Sequence, residues 1–259
     1  MVRRLYALLA CVFLASLVLG ACAPATPQPS PTAVPSRTPL PATFTPEATA
    51  TQTPRPSSTP RPSPTPNLEA TAQYDGMAAK AKEYFDAGYI STSNGVAFKR
   101  VEDFKDEWAQ IGWYQWTYLD YSPSDFVLET DVKWESASAT ADTSGCGFVF
   151  RLDDTDNYYV MYVSLKGYVI PYIVSSGNHS SLSIAHFGLA SQTGGVHLTL
   201  IVEGDTFRVL INDKFIKSYT GFKQKLLSGK LGYTVFSGTN KSYGTRCSYS
   251  NTDLWTIKK

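Results

Sequence analysis

Phe126-Val127-Leu128-Glu129-Thr130-Asp131-Val132-Lys133-Trp134-Glu135 decides the fold class of this chain. Phe126, Leu128, Thr130, Val132 and Trp134 fall on one side, and Val127, Glu129, Asp131, Lys133 and Glu135 on the other. Successive side chains of a strand point to opposite faces, so this period of two predicts a half-buried β-strand with a solvated, mixed-charge outer face. C-terminal to it, similar runs recur over 147–151, 158–165, 168–174, 197–202, 206–211, 231–236 and 246–249. Between them stand turn formers: Asp153-Asp154, Lys166-Gly167, Gly204-Asp205, Asn212-Asp213 and Ser237-Gly238. Many short strands joined by tight turns predict a mainly β domain, a sandwich or jelly roll, over 113–259.

N-terminal to that domain the pattern changes. A helix is predicted from Asn67, an acceptable N-cap, to about Asp86, with Gly88 just beyond its end. Val101, Phe104, Trp108 and Ile111, spaced three, four and three apart, suggest a second short helix. Residues 67–112 are therefore read as an N-terminal helical segment.

Of the 16 prolines, only Pro123 and Pro171 lie outside 24–66. Residues 22–66 repeat Thr-Pro, Ser-Pro and Arg-Pro with almost no apolar bulk. Such a segment cannot bury enough surface to offset its ordering entropy, and its prolines favour extended polyproline II. It reads as a disordered stalk whose contour approaches ~130 Å at about 3.1 Å per residue. Residues 1–21 carry Arg3 and Arg4 ahead of an apolar run, Leu5 to Gly20, that is short for a membrane span. Leu19-Gly20-Ala21-Cys22 resembles a bacterial lipobox. That resemblance implies a lipid on Cys22, attachment to a membrane through it, and a place in the cell envelope outside the cytoplasmic membrane.

Net charge is +1 and basic residues are interspersed with acidic ones, so there is no cationic stripe for nucleic acid. Setting aside Cys11 in the signal segment and Cys22, one pair remains, Cys146 and Cys247. A disulfide is the expectation for such a pair in an exported domain. Two buried thiols are the alternative, and a metal site finds no histidine at ligand spacing.

Gly147-Phe148-Val149-Phe150-Arg151, Asp156-Asn157-Tyr158-Tyr159 and the Lys166-Gly167 turn resemble concanavalin A-like (laminin-G-like) lectin/glucanase domains. So do Val209-Leu210-Ile211-Asn212-Asp213, Gly229-Lys230-Leu231-Gly232-Tyr233, and the closing stretch from Ser237-Gly238 through Cys247 to Leu254-Trp255. Trp108 to Trp116 and Cys146 to Arg151 look like a group of bacterial lipoproteins with Thr/Pro-rich linkers. The resemblance covers roughly 88–257. It implies a jelly roll, and leaves function open, since that fold hosts lectins, glucanases and adhesion modules.

Glucanases of this fold carry a Glu-x-Asp-x-(x)-Glu motif on one strand, which invites a test of Glu129, Asp131 and Glu135. The string here is one residue too long. At about 3.3 Å per residue, Glu129 and Glu135 lie about 20 Å apart, whereas retaining hydrolysis needs carboxyls about 5–5.5 Å apart. His179, His186 and His197 pair with no nucleophile by spacing. Asp153, Asp154, Asp156 and Asn157 are the residues a Ca²⁺ ion would use, although an acidic turn is more commonly just solvated.

Sugar sites set an aromatic platform beside orienting polar groups. Two aromatic groups qualify: Trp113, Tyr114 and Trp116 with Tyr118, and Tyr158, Tyr162, Tyr168 and Tyr172 on one predicted hairpin. Either group is also a natural dock for the N-terminal helix. The leading expectation is a non-catalytic surface module that binds carbohydrate or a glycosylated surface. A glucanase-like hydrolase and a protein-docking envelope lipoprotein are the alternatives.

Overall fold

The computed structural model describes residues 67–139, 143–153, 156–188, 191–220 and 226–258. The signal segment, Cys22, the linker and Asp154 lie outside the described residues. Helix α1 spans Leu68–Asp86, with the Asn67 side chain accepting from the Ala70 amide. At its other end the Gly88 amide bonds the Phe85 carbonyl and the Tyr89 amide the Tyr84 carbonyl. This double bond of a Schellman end requires a left-handed residue, and Gly88 has φ +73°. Cap and stop therefore stand where the sequence puts them.

The second predicted helix does not exist. Its residues form β1 (Gly95–Val101) and β2 (Phe104–Trp108), both strands. Phe104 and Trp108 are four apart, a spacing that puts two side chains on one face of a strand as well as of a helix. Ile111 sits in a turn and is exposed. The segment 67–112 is thus one helix followed by two sheet strands.

The remaining strands are β3 (Trp113–Leu119), β4 (Phe126–Ser136), β5 (Gly145–Leu152), β6 (Tyr158–Ser164), β7 (Tyr168–Ser175), β8 (Asn178–Ser181), β9 (Ala185–His186), β10 (Thr193–Glu203), β11 (Thr206–Ile211), β12 (Lys214–Tyr219), β13 (Lys230–Ser237) and β14 (Thr245–Ile257). Among the described residues they make two seven-stranded antiparallel sheets. The first sheet runs β1-β14-β4-β10-β11-β12, with β2 also on β14; the second runs β3-β13-β5-β6-β7-β8, with β9 on β7. This is the mainly β, jelly-roll sandwich expected from the sequence. Strand β4 lies in the middle of its sheet between β14 and β10. The Asn212-Asp213 turn joining β11 to β12 has φ +51° and +61°, the two positive values of a type I′ hairpin.

The inner faces of the sheets meet over Phe126, Leu128, Val132 and Trp134 from β4, Phe148 and Phe150 from β5, and Tyr159 and Met161 from β6. Tyr249 crosses this layer, its hydroxyl donating to the Thr234 carbonyl at 2.7 Å and accepting from the Gly147 amide at 2.9 Å. Cys146 on β5 and Cys247 on β14 are disulfide-bonded, with Cα atoms 5.8 Å apart, so one covalent link joins the two sheets. Arg151 is buried with φ +53° and gathers three loops: it donates to the carbonyls of Ser124, Gly204 and Leu226 and pairs with Asp125.

Helix α1 lies on the outer face of the first sheet. Met77, Ala81 and Tyr84, one face of the helix, pack with Ile90 on Val127, Ile201, Leu210, Trp255 and Ile257. Tyr74 adds ring contacts to Phe98 and Trp255. A Cβ on Gly95 would lie 2.3 Å from the Trp255 ring, so that glycine lets β1 close over the indole.

Candidate functional site

Because α1 occupies the outer face of the first sheet, the aromatic groups of the second sheet are not its dock. Alternation sends Tyr114, Trp116 and Tyr118 of β3 to the outer face of the second sheet. There Tyr114 and Trp116 join Tyr158 and Tyr162 of β6, Tyr172 of β7 and Phe236 of β13 in a separate cluster that also holds Val149, Val160, Ile170 and Val174, while Tyr118 is exposed. Trp113, out of phase with Tyr114, is 58% exposed.

The four-tyrosine surface expected of the β6–β7 hairpin is only partly formed. Tyr158 and Tyr162 are buried, at 3% and 1% exposure, as the floor of the aromatic layer. Cross-strand pairing explains this: Tyr162 stands opposite Ile170, with Tyr172 stacked at 6.4 Å and Phe236 at 4.8 Å. Tyr172 is half-buried and Tyr168 exposed, the latter set apart against His186. The accessible aromatic surface is therefore Trp116, Tyr118 and Tyr172, with the edge of Tyr114. Lys230 extends over the Tyr118 ring, 5.1 Å from its centre.

At one end of this face is a pocket of about 290 Å³ lined by Gly112, Trp113, Tyr114, Tyr172, His179 and Phe236. The Tyr114 hydroxyl shares a 2.7 Å hydrogen bond with that of Tyr158 and lies 3.5 Å from His179 Nδ1. Burial, then the Tyr158 hydrogen bond, pushes the Tyr114 phenol well above its ordinary pKa. Burial, then the neighbouring Tyr172, does the same to Tyr162. The sequence does not bring His179 and Phe236 to the aromatic group. His179 lies on β8, a short polar strand that reads as loop, and Phe236 reads as one more core position of β13.

The acidic candidates are on the other sheet. Glu129 is not solvated as the alternation implies: it is 7% exposed beneath α1, where Tyr84 donates a hydrogen bond to it. Burial raises its pKa, with Tyr84, His197 and Lys80 partly offsetting. Asp131 is exposed enough to bond His197 Nδ1 at 2.9 Å and the Asn251 amide at 2.8 Å. Burial alone would raise the Asp131 pKa; those two hydrogen bonds outweigh it and hold the carboxyl below its ordinary value. Glu135 accepts from Tyr243 and faces Arg246 at 3.6 Å. Strand β4 pairs β10 without a bulge from Phe126 to Glu135, so the separation of about 20 Å between Glu129 and Glu135 stands.

In the acidic turn, Asn157 uses its amide oxygen to accept from the Ser176 amide, and the Asp156 carbonyl accepts from Gly177. Among the described residues, no three His, Cys, Asp or Glu side chains converge as metal ligands.

No family model and no curated protein matches this chain. Among solved structures it is similar to the carbohydrate binding module CBM66 from Bacillus subtilis, at 16% identity and TM-score 0.47, over 63% of this chain and 98% of that one. It is similar also to the β-glucanase of Bacillus licheniformis, at 10% identity and TM-score 0.42, over 54% and 69% respectively. With the β-fructofuranosidase of Aspergillus kawachii the values are 14% and 0.44, over 62% of this chain but 27% of that enzyme. At such identities the likeness concerns the fold alone.

Proposed function

We propose that this chain is a lipid-anchored envelope protein whose sandwich binds carbohydrate on the outer face of its second sheet, without catalysis. One observation carries the reading: α1 seals the first sheet, while the second keeps an aromatic face with Trp116 and Tyr172 half-exposed on it. A sugar ring has a flat apolar side that such a platform accepts. Ser181, exposed and paired across from Tyr172, offers a hydroxyl to its rim. Lipid on Cys22 and the Pro/Thr stalk would tether the domain outside the cytoplasmic membrane.

A glycan array followed by calorimetry on the full chain tests the ligand. Trp116→Ala and Tyr172→Ala are each expected to weaken binding about tenfold, roughly 1.4 kcal/mol, with unchanged circular dichroism. No glycan bound at millimolar concentration overturns the reading. Chelation by EDTA is expected to leave affinity unaltered; a loss would bring the Asp153–Asn157 turn back as a Ca²⁺ site. Labelled palmitate should enter the wild type and not Cys22→Ala.

A further inference from the structure

The pocket at the end of the aromatic face differs in chemistry from a sugar site. Five of its six lining residues, Trp113, Tyr114, Tyr172, His179 and Phe236, are aromatic, and no aliphatic, carboxylate, carboxamide or guanidinium side chain lines it. The ring planes are steeply set: His179 stands at 61° to Tyr114, while Tyr114 and Phe236 lie within 25° of parallel. The walls therefore meet at a corner.

The most deeply placed polar atom is already used: the Tyr114 hydroxyl is taken by Tyr158, with His179 Nδ1 beside it. What lines the space is mostly aromatic, with few directional donors or acceptors beyond the Tyr172 hydroxyl and His179 Nε2. A polyol placed there would lose water without recovering its hydrogen bonds. A cation that carries methyl groups and needs no hydrogen bond would lose little and would be attracted by the ring quadrupoles from several sides. About 290 Å³ is room for one small head group.

We propose that the Tyr114–Tyr172–His179–Phe236 pocket binds a quaternary ammonium group of choline size. The site lies on the face read above as the glycan surface, so the proposal deepens that reading by naming a substituent its ligand carries. It also stands apart in test: glycan binding without choline binding removes this proposal alone, and choline binding without glycan binding removes only the carbohydrate reading.

The experiment titrates the full chain with choline chloride and, in parallel, with 3,3-dimethylbutan-1-ol, the uncharged isostere. Choline is expected to bind at least about tenfold more tightly, a difference of about 1.4 kcal/mol. Tyr172→Phe, which keeps the ring and drops the hydroxyl, should retain choline affinity, whereas Tyr172→Ala and the rim variant His179→Ala should each lower it several-fold. Soluble phosphocholine and phosphatidylcholine vesicles then separate a soluble ester from a lipid head group, and binding of either supports the assignment. Equal binding of choline and its isostere, or no choline binding at tens of millimolar, overturns it.

Discussion

Glu129 is the residue whose surroundings contradict its sequence context most sharply. It alternates with core residues on a strand, yet its carboxyl is sealed under Tyr84. Its raised pKa means that the folded state holds the proton more tightly than the unfolded one. The stability it contributes is therefore fully present below its ordinary value of about 4.3 and is lost as pH rises through the higher folded value. Asp131, held below its ordinary value, acts in the opposite sense and loses its contribution as pH falls. Comparing urea midpoints of wild type and Glu129→Gln across pH 4 to 8 separates the two. The difference should move in favour of the variant as pH rises; a pH-independent difference would count against a strained buried carboxylate. Arg151 offers a larger effect. Removing it takes the ion-pair partner from buried Asp125 and a donor from three loop carbonyls, and Arg151→Met is expected to cost about 3–5 kcal/mol by chemical denaturation.

At the scale of elements, α1 is a lid on the first sheet rather than on the aromatic face. Met77→Ala should loosen it by about 2–5 kcal/mol. Hydrogen exchange would show this as faster exchange along 70–86 with β5 and β6 unchanged; uniform acceleration would mean the helix is not a separable unit. The capped helix and the long alternating strands were legible because local rules fix them. Trp108 and Phe104 misled because spacing by four suits both periods. Strand β12, with Lys214 and Lys217 in six residues, carries too little alternation to stand out. The cover over the first sheet did leave a trace: Val127, Ile201 and Leu210 break the polar side of their strands, as apolar residues do where both faces are packed. The aromatic residues of the candidate site were legible by type, but not their division into floor and surface. That depends on β3 pairing β13, a contact between segments more than a hundred residues apart.

Over the whole molecule, the disulfide is the tie between the two sheets. A Cys146→Ser, Cys247→Ser double variant is expected to lose about 4–5 kcal/mol on the chain-entropy estimate for a loop of this length. The same tie decides how the molecule would yield under tension. Residues 67–119 run through α1 and then β1, β2 and β3, all at sheet margins. A pull entering at Asn67 can strip them in order, like a seam, with no interior strand disturbed. Beyond them stands β4 in the middle of its sheet, and after it the Cys146–Cys247 bridge, spanning 101 residues of sequence, takes the load. Those residues cannot lengthen while the bond is intact. Single-molecule stretching should show a first yielding of the marginal strands and then a short extension, which grows by the length of the closed loop only after reduction. A domain built this way gives slack early and then holds.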